Sequence, residues 1–113
     1  MRRCYPNHPH TKVANLMSDA IIGLCEIELY LPGISSLKEK RSIIKSMLTK
    51  MRNKFNIASA EVGKLDVWQS STIAITTVSN SSTHCQQTMQ KVIKWIESHY
   101  PDAMITSHHS EIL

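Results

Sequence analysis

Seven basic residues crowd one short stretch, Lys38, Lys40, Arg41, Lys45, Lys50, Arg52 and Lys54, with a single acid, Glu39, among them. That stretch carries a net +6 in a chain whose total is +4, so everything else sums to −2. Ammonium and guanidinium groups so concentrated are the chemistry that neutralises phosphate, and a row of them at helical spacing can follow a nucleic-acid backbone. Lys38, Lys40, Arg41, Lys45 and Arg52 are therefore the candidate nucleic-acid-binding residues. At about 100° per residue, Lys38, Arg41, Lys45 and Arg52 fall on one side of the apolar stripe, and Lys50 and Lys54 fall on the other. The alternative is a solvated helix face whose lysine stems cover apolar surface.

Asp66, Trp68 and Gln69 form a second constellation, in a stretch that reads as a loop. Loops are where binding residues concentrate, and tryptophan is a frequent interface anchor. Here too a plain alternative stands: Trp68 folds back over a sheet edge and Asp66 caps its own turn.

Other groups carry less. Cys4, His8 and His10 have a loosely metal-like spacing, but a structural zinc site takes four ligands and no second half is present, so no metal site is expected. His108 and His109 are adjacent, and in a strand they point to opposite faces, which cannot make one site. Cys85 lies near a helix start beside His84, where a thiol can be activated, yet it shares the apolar face with Met89 and reads as a buried, inert thiol. There is no glycine-rich phosphate loop, nucleophile elbow or paired carboxylate, so neither catalytic residues nor a cofactor are expected. The sequence reads as a non-enzyme.

These residues need elements to hold them. Residues 21–31 alternate, with Cys25, Ile27, Leu29 and Leu31 on one face and Glu26, Glu28 and Tyr30 on the other, as in a half-buried strand. Ser36 and Glu39 form a capping box that starts a helix, along which Ile44, Met47, Leu48, Met51 and Phe55 make a continuous stripe. A short strand follows at 56–62, a loop at 63–70 and a strand rich in Ile, Thr and Val at 71–79. A second capping box, Thr83 with Gln86, opens a helix burying Cys85, Met89, Val92, Ile93 and Ile96, which ends before Pro101. Residues 103–113 make a last strand.

The order βαββαβ predicts an α+β, ferredoxin-like domain, a four-stranded antiparallel sheet with two helices on one face. The other face would show Glu26, Glu28 and Tyr30. Six aromatics in all, and none in the strand at 71–79, argue against base reading on that sheet. Binding to RNA would use shape and phosphate.

At 113 residues the chain suits one domain, placed at 19–113. Residues 1–18, with Pro6 and Pro9 and no hydrophobic period, read as a disordered lead-in or an over-extended start. Three unpaired cysteines fit a reducing compartment, no stretch approaches a membrane span, and the basic start lacks the apolar core of a signal peptide. A cytoplasmic location follows, with no membrane partner.

One combination of short motifs is specific taken together: Ser36-Leu37-Lys38-x-Lys40-Arg41, Phe55-Asn56, Ala60-Glu61-Val62, Asp66-x-Trp68-Gln69 and Val78-Ser79-Asn80. From about residue 21 to the C-terminus the sequence resembles the YlxP-like family of small, uncharacterised bacterial proteins. The resemblance implies a ferredoxin-like fold. Genes of that family commonly lie among those for translation initiation and ribosome maturation factors, which implies by association a role near the ribosome or RNA. Its motif falls on Lys38, Lys40, Arg41, Lys45, Arg52, Asp66, Trp68 and Gln69, and no catalytic role travels with it. The sequence departs from the family at Ser81, where an acidic residue is usual. Two expectations result: an RNA- or ribosome-associated factor, or a homo-oligomeric protein-interaction module, such as a homodimer, using the open sheet face and the Trp68 loop.

Overall fold

The computed structural model describes residues 19–113 of the chain. The expectation for residues 1–18, and with it the Cys4, His8 and His10 group, lies outside them. The elements are β1 (Ile21–Tyr30), α1 (Leu37–Lys54), β2 (Ala58–Gly63), β3 (Ser70–Ser79), α2 (Ser82–His99) and β4 (Met104–Ile112). The four strands pair antiparallel in the order β2-β3-β1-β4. This is the expected ferredoxin-like arrangement.

Alternation in β1 and β3 makes one sheet face apolar, and that face receives both helices. Cys25, Ile27 and Leu29 of β1 and Ile73 and Ile75 of β3 are buried in one cluster with Ile44, Met47 and Met51 of α1 and Met89, Val92 and Ile96 of α2. Side chains of this kind contribute about 1.5–3 kcal/mol each on full burial. Trp95 joins them, with its ring edge-on to Phe55 and stacked on His99, whereas Ile93 is only partly buried. Gly23 lets α2 approach β1, because a Cβ there would lie 3.2 Å from Met89 Cε and 3.3 Å from Cys85 Cβ.

The helix starts show what capping chemistry decides. At α1 the amide of Glu39 donates to Ser36 Oγ at 3.1 Å, so Ser36 is the N-cap as expected. The carboxylate does not return to Ser36; it accepts from the amide and hydroxyl of Ser35. At α2 the expected Thr83–Gln86 box does not form. Ser81 is the N-cap, with extended backbone and an Oγ that accepts from the His84 amide, and Thr83 lies inside the first turn. Serine and aspartate cap equally well.

Candidate nucleic-acid interface

Helix α1 lies over β2, the edge strand of the sheet, and its polar flank meets that edge. Arg41, Lys45 and Arg52 are exposed and, together with Ile44, Leu48 and Glu61, line a groove of about 200 Å³ between helix and strand. Lys38 is exposed one turn further towards the helix start. From Lys38 to Arg52 the helix rises about 21 Å at about 1.5 Å per residue. All four side chains of the row are exposed.

Two of its members are anchored. Arg52 donates through one terminal nitrogen to Ser59 O at 3.3 Å and Ser59 Oγ at 3.1 Å. A guanidinium has five N–H donors, so Arg52 keeps several for a phosphate. Arg41 meets Asp66 at 3.5 Å in a loose pair with both side chains largely in solvent. Lys50 is on the other flank, its ammonium 5.9 Å from the centre of the Tyr100 ring.

Lys40 is the correction. Counted among the phosphate-contacting cations, it is completely buried and faces inward. Its Nζ donates to Glu61 Oε2 at 2.6 Å and to the carbonyl oxygens of Lys64 at 2.9 Å, Ser70 at 3.3 Å and Leu65 at 3.4 Å. Glu61 Oε2 also accepts from the fully buried Ser71 hydroxyl at 2.7 Å. No external phosphate reaches an ammonium so enclosed. The sequence did carry the signal, since Lys40 precedes Ile44, Met47 and Met51 by four, seven and eleven residues and so sits on the apolar stripe.

The same network builds the β2–β3 loop, residues 64–69. Lys64 has φ 58°, in the left-handed region, and its carbonyl accepts both the Val67 amide at 3.1 Å and the Lys40 ammonium. Gln69 closes the loop: its carbonyl accepts from the Leu31 amide at 2.8 Å, and its side-chain amide donates to Pro32 O and Ile34 O. Of the three loop candidates, Gln69 is thus a half-buried brace. Asp66 and Trp68 remain for a partner. Trp68 is 43% exposed, and Leu65 and Val67 beside it are also exposed.

On the open sheet face Glu26 and Tyr30 are exposed, while Glu28 is drawn in, accepting from Lys64 Nζ and the Thr72 hydroxyl. A cavity of about 580 Å³ lies between the β1–α1 connection, residues 31–36, and the turn after α2. Three of its polar groups are engaged with the protein, Tyr100 OH with Ser46, His99 Nδ1 with Ser98 and Trp95 O, and Glu39 with Ser35, while Asp102 on its rim is exposed. They include no nucleophile held by a base.

Among the described residues, no three His, Cys, Asp or Glu side chains gather as metal ligands, and no helix is long and apolar enough to cross a membrane. Cys85 is fully buried, its thiol 3.8 Å from Ile21 O. Burial pushes the Cys25 thiol above its ordinary value, against the opposing effect of Ser110 and with the Glu26 charge adding to the rise.

Comparison with known proteins adds a family. The family described as "Protein of unknown function (DUF503)" matches residues 22–110. The chain is also similar to the uncharacterised protein YlxP of Bacillus subtilis (strain 168), at 36% identity over 91 residues that cover 80% of this chain and 98% of that protein.

Proposed function

The chain belongs to the DUF503 family, whose function its description leaves open, and we propose that it is a non-enzymatic RNA- or ribosome-associated factor of the cytoplasm, acting in translation or ribosome maturation. The observation that carries this reading is the one-sided row of Lys38, Arg41, Lys45 and Arg52, exposed on α1, of which the last three line the groove with β2. A helix needs no such row to fold. The stripe beside it supplies the packing, and cations in the first turn of α1 are mildly unfavourable against the helix dipole.

Four phosphate contacts give log affinity a slope against log salt of about −3. Filter binding of a structured RNA, titrated across salt, measures it. Replacing all four cations by alanine removes most of the affinity and flattens the slope. Affinity insensitive to both changes would sink the reading.

A second reading, a homodimer through the open sheet face, is favoured by a shallow depression of about 200 Å³ over Leu24, Ala58, Ala60, Ala74 and Thr76. Small side chains there leave room for a second layer. Analytical ultracentrifugation tests it: a dimer that Ala74→Arg converts to monomer supports the reading, and a monomer at every concentration ends it.

A further inference from the structure

A buried lysine is a costly way to hold a surface loop. Desolvating an ammonium takes several kcal/mol, recovered only by a close counter-charge and full hydrogen bonding. Lys40 has both, and three of its four acceptors are backbone carbonyls of the β2–β3 connection: Lys64 and Leu65 at its start, Ser70 at its end. One ammonium thus pins both stems of the loop to the α1 turn that also bears Lys38 and Arg41. Gln69 braces the same loop from the β1–α1 side.

What is held so firmly is exposed and apolar. Leu65, Val67 and Trp68 are 51%, 44% and 43% exposed. Asp66, between them, reaches Arg41 at 3.5 Å, which places the loop at the Lys38–Arg41 end of the basic row. Trp68 follows Asp66 by two residues, at most about 7 Å of extended backbone. An exposed indole on a braced loop, two residues from a contact with Arg41, offers an unpaired base a ring to stack on while its phosphate meets the cation.

We propose that the Lys64–Gln69 loop is a base-stacking subsite, with Trp68 as the stacking surface, which gives the basic row of α1 a preference for RNA carrying an unpaired base beside a helical stem. This rests on the phosphate-binding reading of α1. Lys40 acts as a positioning residue, holding the loop at the row and touching no ligand. Cation charge favours RNA as the occupant over an apolar protein surface, because the loop contacts the most basic element of the chain through Asp66 and Arg41.

The test uses the full chain and two RNA hairpins with identical stems, one bearing a two-adenosine bulge and one fully paired. The bulged hairpin binds more tightly, and Trp68→Ala lowers its affinity about 5- to 150-fold, the equivalent of about 1–3 kcal/mol at about 1.4 kcal/mol per tenfold. Binding to the paired hairpin stays within about twofold, and Trp68→Phe restores most of the bulge preference. Trp68 emission is quenched on binding, a signal absent from Trp68→Phe, in which only the buried Trp95 remains.

If both hairpins bind with salt dependence through the basic row but Trp68→Ala changes nothing, the subsite is overturned and the phosphate reading stands. If neither hairpin binds, both fall. If Trp68→Ala instead abolishes self-association and leaves RNA affinity intact, the loop is a protein contact and the subsite is overturned.

Discussion

Replacing Lys40 by methionine tests the central polar feature of the fold. Methionine nearly matches the lysine stem in volume, so the change removes the ammonium with little loss of packing. Four contacts go with it: the 2.6 Å pair with Glu61 and the bonds to the carbonyls of Lys64, Leu65 and Ser70. Glu61, only 14% exposed, keeps a carboxylate whose remaining partner is the buried Ser71 hydroxyl. Removing one member of a buried ion pair costs about 3–5 kcal/mol, because the other charge stays desolvated and unpaired. A domain of this size has about 5–15 kcal/mol in total, so Lys40→Met approaches the limit of folding.

Urea denaturation followed by far-UV circular dichroism reads the loss, with an unchanged m-value showing that the unfolded state is the same. The partner change separates charge from packing. Glu61→Leu in the Lys40→Met background recovers more than half of the loss, since a buried pair replaced on both sides by apolar groups is close to neutral. A coupling energy near zero across that cycle, or a Lys40→Met protein within about 1 kcal/mol of the parent, refutes the description of Lys40 as the clamp of the β2–β3 loop.

Four further outcomes follow from particular contacts. Ser81→Ala destabilises by about 1 kcal/mol in the same assay, whereas Thr83→Ala has little effect, because only Ser81 caps α2; the reverse ranking restores the cap to Thr83. Gly23→Ala costs about 1–3 kcal/mol unless Met89 and Cys85 shift, since its methyl group meets both at 3.2–3.3 Å. In a Cys4→Ser background the native protein does not react with a thiol reagent until it unfolds, and its stability falls as pH rises above about 9.0, where the unfolded Cys25 thiol ionises and the buried one stays protonated. Asp66→Asn strengthens RNA binding by up to about fivefold by freeing Arg41 from an exposed pair, an effect that must shrink as salt rises.

Local pattern and sign of charge carried much of this protein. The alternation of β1, the stripe Ile44–Met47–Met51, Ser36 as a cap and the flank on which Lys38, Arg41, Lys45 and Arg52 lie all depend on residues a few positions apart. The sequence order of the six elements was enough to reach the ferredoxin-like arrangement. The cap of α2 was harder, because Ser79, Asn80, Ser81, Ser82 and Thr83 are five consecutive residues able to cap and only the backbone conformation selects one of them.

Lys40 marks the boundary between the two kinds of information. Helical periodicity by itself sets it on the buried stripe, and charge by itself assigns it to the solvent; neither term alone decides. What decides is Glu61, 21 residues away, and the carbonyls of Lys64, Leu65 and Ser70, up to 30 residues away. Those acceptors converge on one ammonium only after β2 has paired with β3 beneath α1. An ionised group enters a protein interior when its partners are already in place, and that condition is a property of the tertiary fold.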